Sequence, residues 1–205
     1  GRAAREVLKD PRVGSVTLVD LDPEMTRLFT ENEALAALNS HALRSPKVTV
    51  VNDDAFKWLE LNEAPFDFIV SDFPDPSNYS VGKLYSESFY RLVLRRLAPD
   101  GRLAVQATSP MFARRAFWCI DKTMRSAGFN TNAYHAYVPS FGEWGFVLAG
   151  TTPYRVPKAF PAGLRFLDGP TARALFEFPA DMARLDVESN RLGTQALVRY
   201  YEQEW

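Results

Sequence analysis

The sequence predicts an α/β fold, a doubly wound and mostly parallel sheet flanked by helices and finished by an antiparallel closing hairpin. Three observations predict it. Short apolar runs at Ser15 to Asp22 (SVTLVDLD), Lys47 to Asp54 (KVTVVNDD) and Phe66 to Asp72 (FDFIVSD) each end in aspartate. Helical spacing follows the first two directly, the strand-to-helix alternation of a parallel sheet whose ligands sit beyond the carboxyl ends of the strands. And 205 residues, 46% of them hydrophobic, with 15 Phe, 8 Tyr and 4 Trp, can bury a full core.

Taken in order, Gly1 to Asp10 carry Ala3, Val7 and Leu8 on one side and read as a helix already under way, broken at Asp10-Pro11. After the first strand, Pro23 opens a helix to about Phe29, because proline fits the first turn. A second short apolar stretch covers Leu35 to Leu43. The strand at Lys47 leads into AFKWLEL, with Phe56, Leu59 and Leu61 at helical spacing. The third strand is followed by an amphipathic helix, Tyr85 to Leu97, closed by Pro99, Asp100 and Gly101. RLAVQ makes a fourth strand ending at Gln106. Met111 to Ala127 form a helix stopped by Gly128 in a C-cap position. Thr131 to Val138 and Trp144 to Ala149 form the antiparallel pair around a turn at Pro139 to Gly142. Thr151 to Gly169 read as a surface connection, and Ala172 to Phe176 and Thr194 to Glu204 as short helical tails. The expected organisation is a nucleoside-binding catalytic domain over residues 1–150, incomplete at its N-terminus, with residues 151–205 as a connection and helical tail packed on it.

Composition excludes several classes. A net charge of -1 with interspersed signs gives no footprint for nucleic acid or anionic lipid. The one cysteine, Cys119, excludes an internal disulfide and fits a reducing compartment, so the expected location is cytoplasmic. No run approaches the ~20 apolar residues of a membrane helix. With two histidines and one cysteine, no metal site is expected.

The most informative string is SDFPDP, Ser71 to Pro76. Asp72 and Asp75 stand three apart in a proline-stiffened loop at a strand end. One carboxylate of such a pair can hold an ammonium group while the other accepts a proton from an attacking nitrogen. An Asx-type turn explains the string equally simply, and taken alone it is the better reading. Asp20 and Asp22 end the first strand, where doubly wound folds bind ribose hydroxyls, and Asp53 and Asp54 end the second, near where a base would lie. Helix capping explains each of those pairs on its own. Three acidic strand ends in succession shift the weight toward a ligand crevice.

In REVLK (Arg5 to Lys9), LVDLDP (Leu18 to Pro23), VNDDAF (Val51 to Phe56), SDFPDP, LYSESFY (Leu84 to Tyr90), PDGRLAVQ (Pro99 to Gln106) and VPSFGEWGF (Val138 to Phe146), the chain resembles the polyamine aminopropyltransferases, the spermidine synthase family. VPSFGEWGF and the tail NRLGTQALVRYYE resemble most the bacterial subgroup whose catalytic domain is attached to an integral membrane segment. The resemblance implies a Rossmann-like sheet of the class I methyltransferase type. It implies Asp72 as the catalytic carboxylate and Asp75 as a substrate-amine anchor, with Gln106 facing the amine channel. Phe141 stands where many members carry a tyrosine near the amine. Asp20 matches the ribose-binding acid, usually a glutamate, with Asp22 beside it. Asp54 matches the acid that contacts the adenine amino group, flanked by Asp53 and Ala55. Tyr85 and Trp144 are candidate aromatic walls, with core packing as the alternative. The family's first strand and its glycine-rich loop precede the helix that begins this chain. The sequence therefore reads as a catalytic-domain fragment, one with an open sheet edge that invites association, a homodimer included. A membrane domain is expected elsewhere in the parent.

The reaction so implied moves the aminopropyl group of decarboxylated S-adenosylmethionine to a diamine such as putrescine, giving spermidine and methylthioadenosine. Two rival readings share the fold. One is a diamine N-methyltransferase using S-adenosylmethionine, and the other is a non-catalytic module that binds polyamine or nucleoside.

Overall fold

In the computed structural model, which describes residues 1–205, the two N-terminal apolar runs pair in parallel. β1 (Val16–Asp20) and β2 (Val48–Asn52) align Val16 with Val48 and Asp20 with Asn52, so both strands deliver their acidic ends to one side. Parallel neighbours need a crossover between them, and it is built from α2 (Pro23–Glu31), α3 (Glu33–Leu38) and a 3-10 turn at Ala42–Arg44. Pro23 sits in the first turn of α2, and the Asp22 carboxylate accepts from the Glu24 and Met25 amides. Asn32, in extended conformation, ends α2 and caps α3 by accepting from the Leu35 amide. The apolar stretch expected from Leu35 therefore divides into two short pieces. α1 (Arg2–Val7) and α4 (Ala55–Leu61) complete this part. Its core is small, with Ala4, Ala42 and Leu43 packed against Leu8, Leu18, Phe29, Val48 and Val50.

The chain divides into two units, Gly1–Asn62 and Glu63–Trp205. In the second, β3 (Phe66–Ser71) pairs in parallel with β4 (Leu97–Gln106), the crossover being α5 (Tyr79–Gly82), a 3-10 turn and α6 (Glu87–Arg96). The closing hairpin is β5 (Asn130–Val138) and β6 (Gly142–Gly150), and it is β6 that pairs with β4. The strands thus pair in two ladders, β1-β2 and β3-β4-β6-β5, four of them parallel to a neighbour and two forming the antiparallel hairpin.

Three boundaries differ from expectation for local reasons. The Pro99-Asp100-Gly101 turn lies inside β4, not between helix and strand. Leu97 is already extended (φ -78°, ψ 132°) and pairs with Phe66. The residue before a proline disfavours helix, so α6 ends at Arg96, and the extra residues appear as a register shift between Phe66 and Phe68, with Asp100 at φ 63°. α7 (Arg114–Ser126) starts after Met111 because the Ser109 hydroxyl accepts from the Met111 and Phe112 amides in a preceding turn. α8 (Gly169–Ala174) starts before Ala172 because Asp168 caps it through the Thr171 amide and Pro170 fits its first turn. Gly128 does terminate α7, at φ 108°, with the Phe129 amide donating back to the Met124 carbonyl.

The second unit holds the large core, in which Phe89, Tyr90, Val93, Leu103, Val105, Phe117, Ile120, Met124 and Val147 are buried with Leu197 and Val198 of α9 (Ala196–Glu204). Two contacts connect this core to the loops above it. The Asn190 side chain is fully buried, donating to the Gly82 and Tyr85 carbonyls and accepting from the Leu197 amide. Gly145 of β6 lies against the Phe117 ring, and its amide donates to the Thr108 carbonyl at 2.7 Å. Thr108 is thereby held at φ 59°, a left-handed conformation that β-branched residues rarely adopt. No helix of the protein is long and apolar enough to cross a membrane.

Gly145→Ala should lower stability by about 1–3 kcal/mol, because the added methyl meets the Phe117 ring and the Thr108 carbonyl, 2.8 Å away. Asn190→Ala leaves two carbonyls and an amide without their partner and should cost about 2–4 kcal/mol. Both are read from chemical denaturation midpoints, and wild-type midpoints would contradict these assignments.

Candidate active site

The first acidic group forms at the carboxyl ends of β1 and β2. The Asp53 amide donates to the Asp20 carbonyl at 3.2 Å, extending the ladder by one step and setting the two residues side by side. Asp20 Oδ1 accepts from the Asp22 amide at 2.9 Å, and its Oδ2 makes no bond within the protein. Asp53 Oδ1 accepts from the Asp54 amide at 2.8 Å. Asp22 and Asp54 are the N-caps of α2 and α4, Asp54 through the Phe56 and Lys57 amides at 2.9 and 3.3 Å. The structure thus brings Asp20, Asp22, Asp53, Asp54 and Ala55 to one end of the parallel pair. Asp22 and Asp54 thus serve the helix N-termini, whereas Asp20 keeps an oxygen able to accept from a hydroxyl group.

The second group is the loop leaving β3. Its shape is set from beneath by two donors on one carbonyl. The Tyr85 hydroxyl lies 3.2 Å from the Phe73 oxygen and 3.1 Å from the Pro74 oxygen, and Gln106 Nε2 donates to the same Phe73 oxygen at 3.3 Å. The Phe73 ring packs edge-on to Tyr85 and Phe89. With its middle residue pinned, the loop exposes Asp72 and half-buries Asp75. Tyr85, only 1% exposed, is a strut under the loop and presents no open ring to a ligand, the core-packing alternative of the two read from the sequence. Burial, with the negative charges of Asp75 and Asp72 close by, pushes its phenol far above the usual tyrosine range, so it remains a donor. Trp144 is likewise buried. Phe141 is 61% exposed in the β5–β6 turn with its ring against Trp144.

Asp75 is the unusual group. Burial raises its pKa, partly offset by the Tyr201 and Thr108 hydroxyls. Tyr201 of α9 lies 3.1 Å from Oδ2. Oδ1 is buried and meets no donor. The Thr108 hydroxyl is close enough to act on the carboxylate electrostatically, yet it too is buried without a partner in hydrogen-bonding geometry. A buried carboxylate oxygen without a donor is costly unless a ligand supplies one. Thr108 and Tyr201 were not legible as site residues. Thr108 follows a strand with no motif around it, and Tyr201 lies 126 residues from its partner on a helix that reads as a tail. No group of three or more His, Cys, Asp or Glu side chains is arranged to hold a metal ion.

Comparison with known proteins gives the family. The spermine/spermidine synthase domain family matches residues 1–157. Among curated proteins, polyamine aminopropyltransferase 2 of Ralstonia nicotianae is 55% identical over the whole chain, which covers 41% of that protein. The polyamine aminopropyltransferase of Leptospira interrogans is 53% identical, again over the whole chain and 41% of its own length. The chain thus spans about two fifths of the length of these relatives. The crystal structure of spermidine synthase from Thermotoga maritima superposes with a TM-score of 0.75 at 21% identity, over 87% of this chain and 62% of the other. That of a spermidine synthase in complex with the transition state analogue AdoDATO gives 0.76 at 22% identity, over 87% and 63%. These two likenesses show the α/β fold, and with the match over residues 1–157 the conclusion is that the chain belongs to the spermine/spermidine synthase family.

Proposed function

We propose that the protein is an aminopropyltransferase that moves the aminopropyl group of decarboxylated S-adenosylmethionine to a diamine such as putrescine. The observation that carries this reading is Asp75, a half-buried carboxylate with one oxygen held by a phenol and the other without a donor. That arrangement suits an alkylammonium group, which brings both positive charge and N–H donors. The names of the relatives support the same reaction.

In this reading Asp20, with Asp22, Asp53, Asp54 and Ala55 around it, takes the nucleoside, Asp20 through a ribose hydroxyl. Asp75 holds the distant ammonium of the diamine, and Gln106 shapes the channel through its bond to Phe73. Phe141 contributes an apolar surface without a hydroxyl. Asp72, exposed beside the bound amine, accepts the proton. An alkylamine has a pKa near ~10.4 and is protonated at neutral pH, so the reacting nitrogen must lose a proton before its lone pair is available. The freed lone pair attacks the propyl carbon bound to the sulfonium. The new N–C bond forms as the C–S bond breaks, and the electron pair of the broken bond neutralises the sulfur, giving methylthioadenosine. The secondary ammonium product returns its extra proton to solvent.

We also infer a cytoplasmic setting, supported by the free, buried Cys119, whose thiol burial pushes up to about 12. Exposed Phe68 and Val70 on β3 support association with a further element or a second copy.

The experiment offers both decarboxylated and ordinary S-adenosylmethionine to the full-length protein in competition. Methylthioadenosine and an aminopropylated diamine are expected, whereas a methylated amine without methylthioadenosine would replace this function with methyl transfer. Asp72→Asn should cut methylthioadenosine release by about 10²–10⁴-fold with nucleoside binding retained. Equal turnover would refute its role. Asp75→Asn should raise the KM for diamine without changing that for the nucleoside. Since burial raises the Asp75 pKa, lowering the pH through that value protonates the carboxylate and removes the charge that attracts the amine. The diamine KM should therefore climb toward acid pH in the wild type and lose that dependence in Asp75→Asn.

A further inference from the structure

We propose that Tyr201, on the C-terminal helix, is a positioning residue for the amine site, its phenol fixing the direction in which the Asp75 carboxylate presents its open oxygen. The inference rests on the reading of Asp75 as amine anchor and deepens it, bringing into the site a helix that lies beyond the matched family segment, residues 1–157.

A carboxylate turns about its Cβ–Cγ bond unless a donor holds one oxygen. The Tyr201 hydroxyl, 3.1 Å from Oδ2, is such a donor. With Oδ2 engaged, Oδ1 is left buried and without a donor, near a Thr108 hydroxyl that is itself 1% exposed and without a partner. Oδ1 is thus open to a donor, and a primary ammonium carries three N–H donors. The Thr108 backbone is held in place, because the Gly145 amide donates to its carbonyl at 2.7 Å and its φ is 59°.

Tyr201 is equally well fixed. The α7 N-terminus has no side-chain cap of its own, and the Glu204 carboxylate fills that place, accepting from the Arg115 amide at 2.8 Å and the Ala116 amide at 3.1 Å. The Arg115 guanidinium lies over the Tyr200 ring, 4.1 Å from its centroid. At the other end of α9, Leu197 and Val198 are buried and Asn190 holds the Leu197 amide. A donor on a helix anchored at both ends needs no rearrangement to act, the condition under which positioning is effective. Burial, with the nearby Asp75 charge, pushes the Tyr201 phenol up to about 12, so it stays protonated at neutral pH. The other ionisable groups facing this cluster are Asp72 and Tyr85.

The test compares Tyr201→Phe, Tyr201→Leu and Tyr201→His with Asp75→Asn in the full-length protein, reading kcat, both KM values and the pH profile for diamine. Tyr201→Phe should raise the diamine KM about tenfold, the scale of one hydrogen bond to a charged group, with the nucleoside KM and kcat within about twofold. Its acid limb should move to higher pH, because the donor that lowers the Asp75 pKa is gone. Tyr201→His, which keeps a ring and an N–H donor, should recover part of the loss, and the Leu and His variants carry the comparison if Phe at this position disturbs folding. A wild-type diamine KM and pH profile in Tyr201→Phe, or a loss confined to Tyr201→Leu, overturns the inference. If Asp75→Asn is nevertheless impaired, the amine reading stands without it, whereas a wild-type diamine KM in Asp75→Asn overturns both.

Discussion

The loop that leaves β3 makes no ladder of its own, and its course depends on one backbone oxygen. The Phe73 carbonyl receives Tyr85 from below and Gln106 from the end of β4. Each such bond contributes about 0.5–1.5 kcal/mol net, modest against the whole fold. Their effect on geometry is larger. With Phe73 fixed, Asp72 and Asp75 fall on opposite sides of a pinned residue, one exposed and one half-buried. Two carboxylates three residues apart thus acquire different environments, the usual route by which one motif supplies both a proton acceptor and a binding group.

What supports that oxygen is the interior of the second unit. Tyr85 stands in the apolar core beside Phe89, and Asn190 holds the Tyr85 carbonyl from the C-terminal segment. β6 approaches the end of β4 closely because Gly145 has no side chain, and that approach holds Thr108 in its left-handed turn. The same packing that makes the core dense therefore places a strained threonine and a distant tyrosine around one carboxylate. Strain of this kind persists where the surroundings over-determine it, commonly at binding sites.

The N-terminal acids follow a simpler rule. Parallel pairing in register puts Asp20 level with Asn52, and one further amide bond sets Asp53 beside it. Capping then uses Asp22 and Asp54, which need only their own helices to do so. Capping by Asp22 and Asp54 leaves Asp20 outside either cap, so local structure and the proposed nucleoside role do not exclude each other.

The sequence by itself determined what depends on neighbours along the chain. Strand runs ending in aspartate, Pro23 and Asp54 as helix starts, Gly128 as a stop, the hairpin around Pro139 and the acidic string SDFPDP all act within a few residues, and each was legible. The ends of α6 and α8 depart from helical spacing where a strand pairing or a cap competes with it. Only the tertiary structure decided that Tyr85 is a strut under the Phe73 and Pro74 carbonyls, that the Phe141 ring packs on Trp144 and that the Tyr201 hydroxyl meets Asp75. The physical reason is separation. A hydrogen bond between residues 126 apart leaves no trace in local spacing, because its geometry exists only after the core has brought α9 to the end of β4.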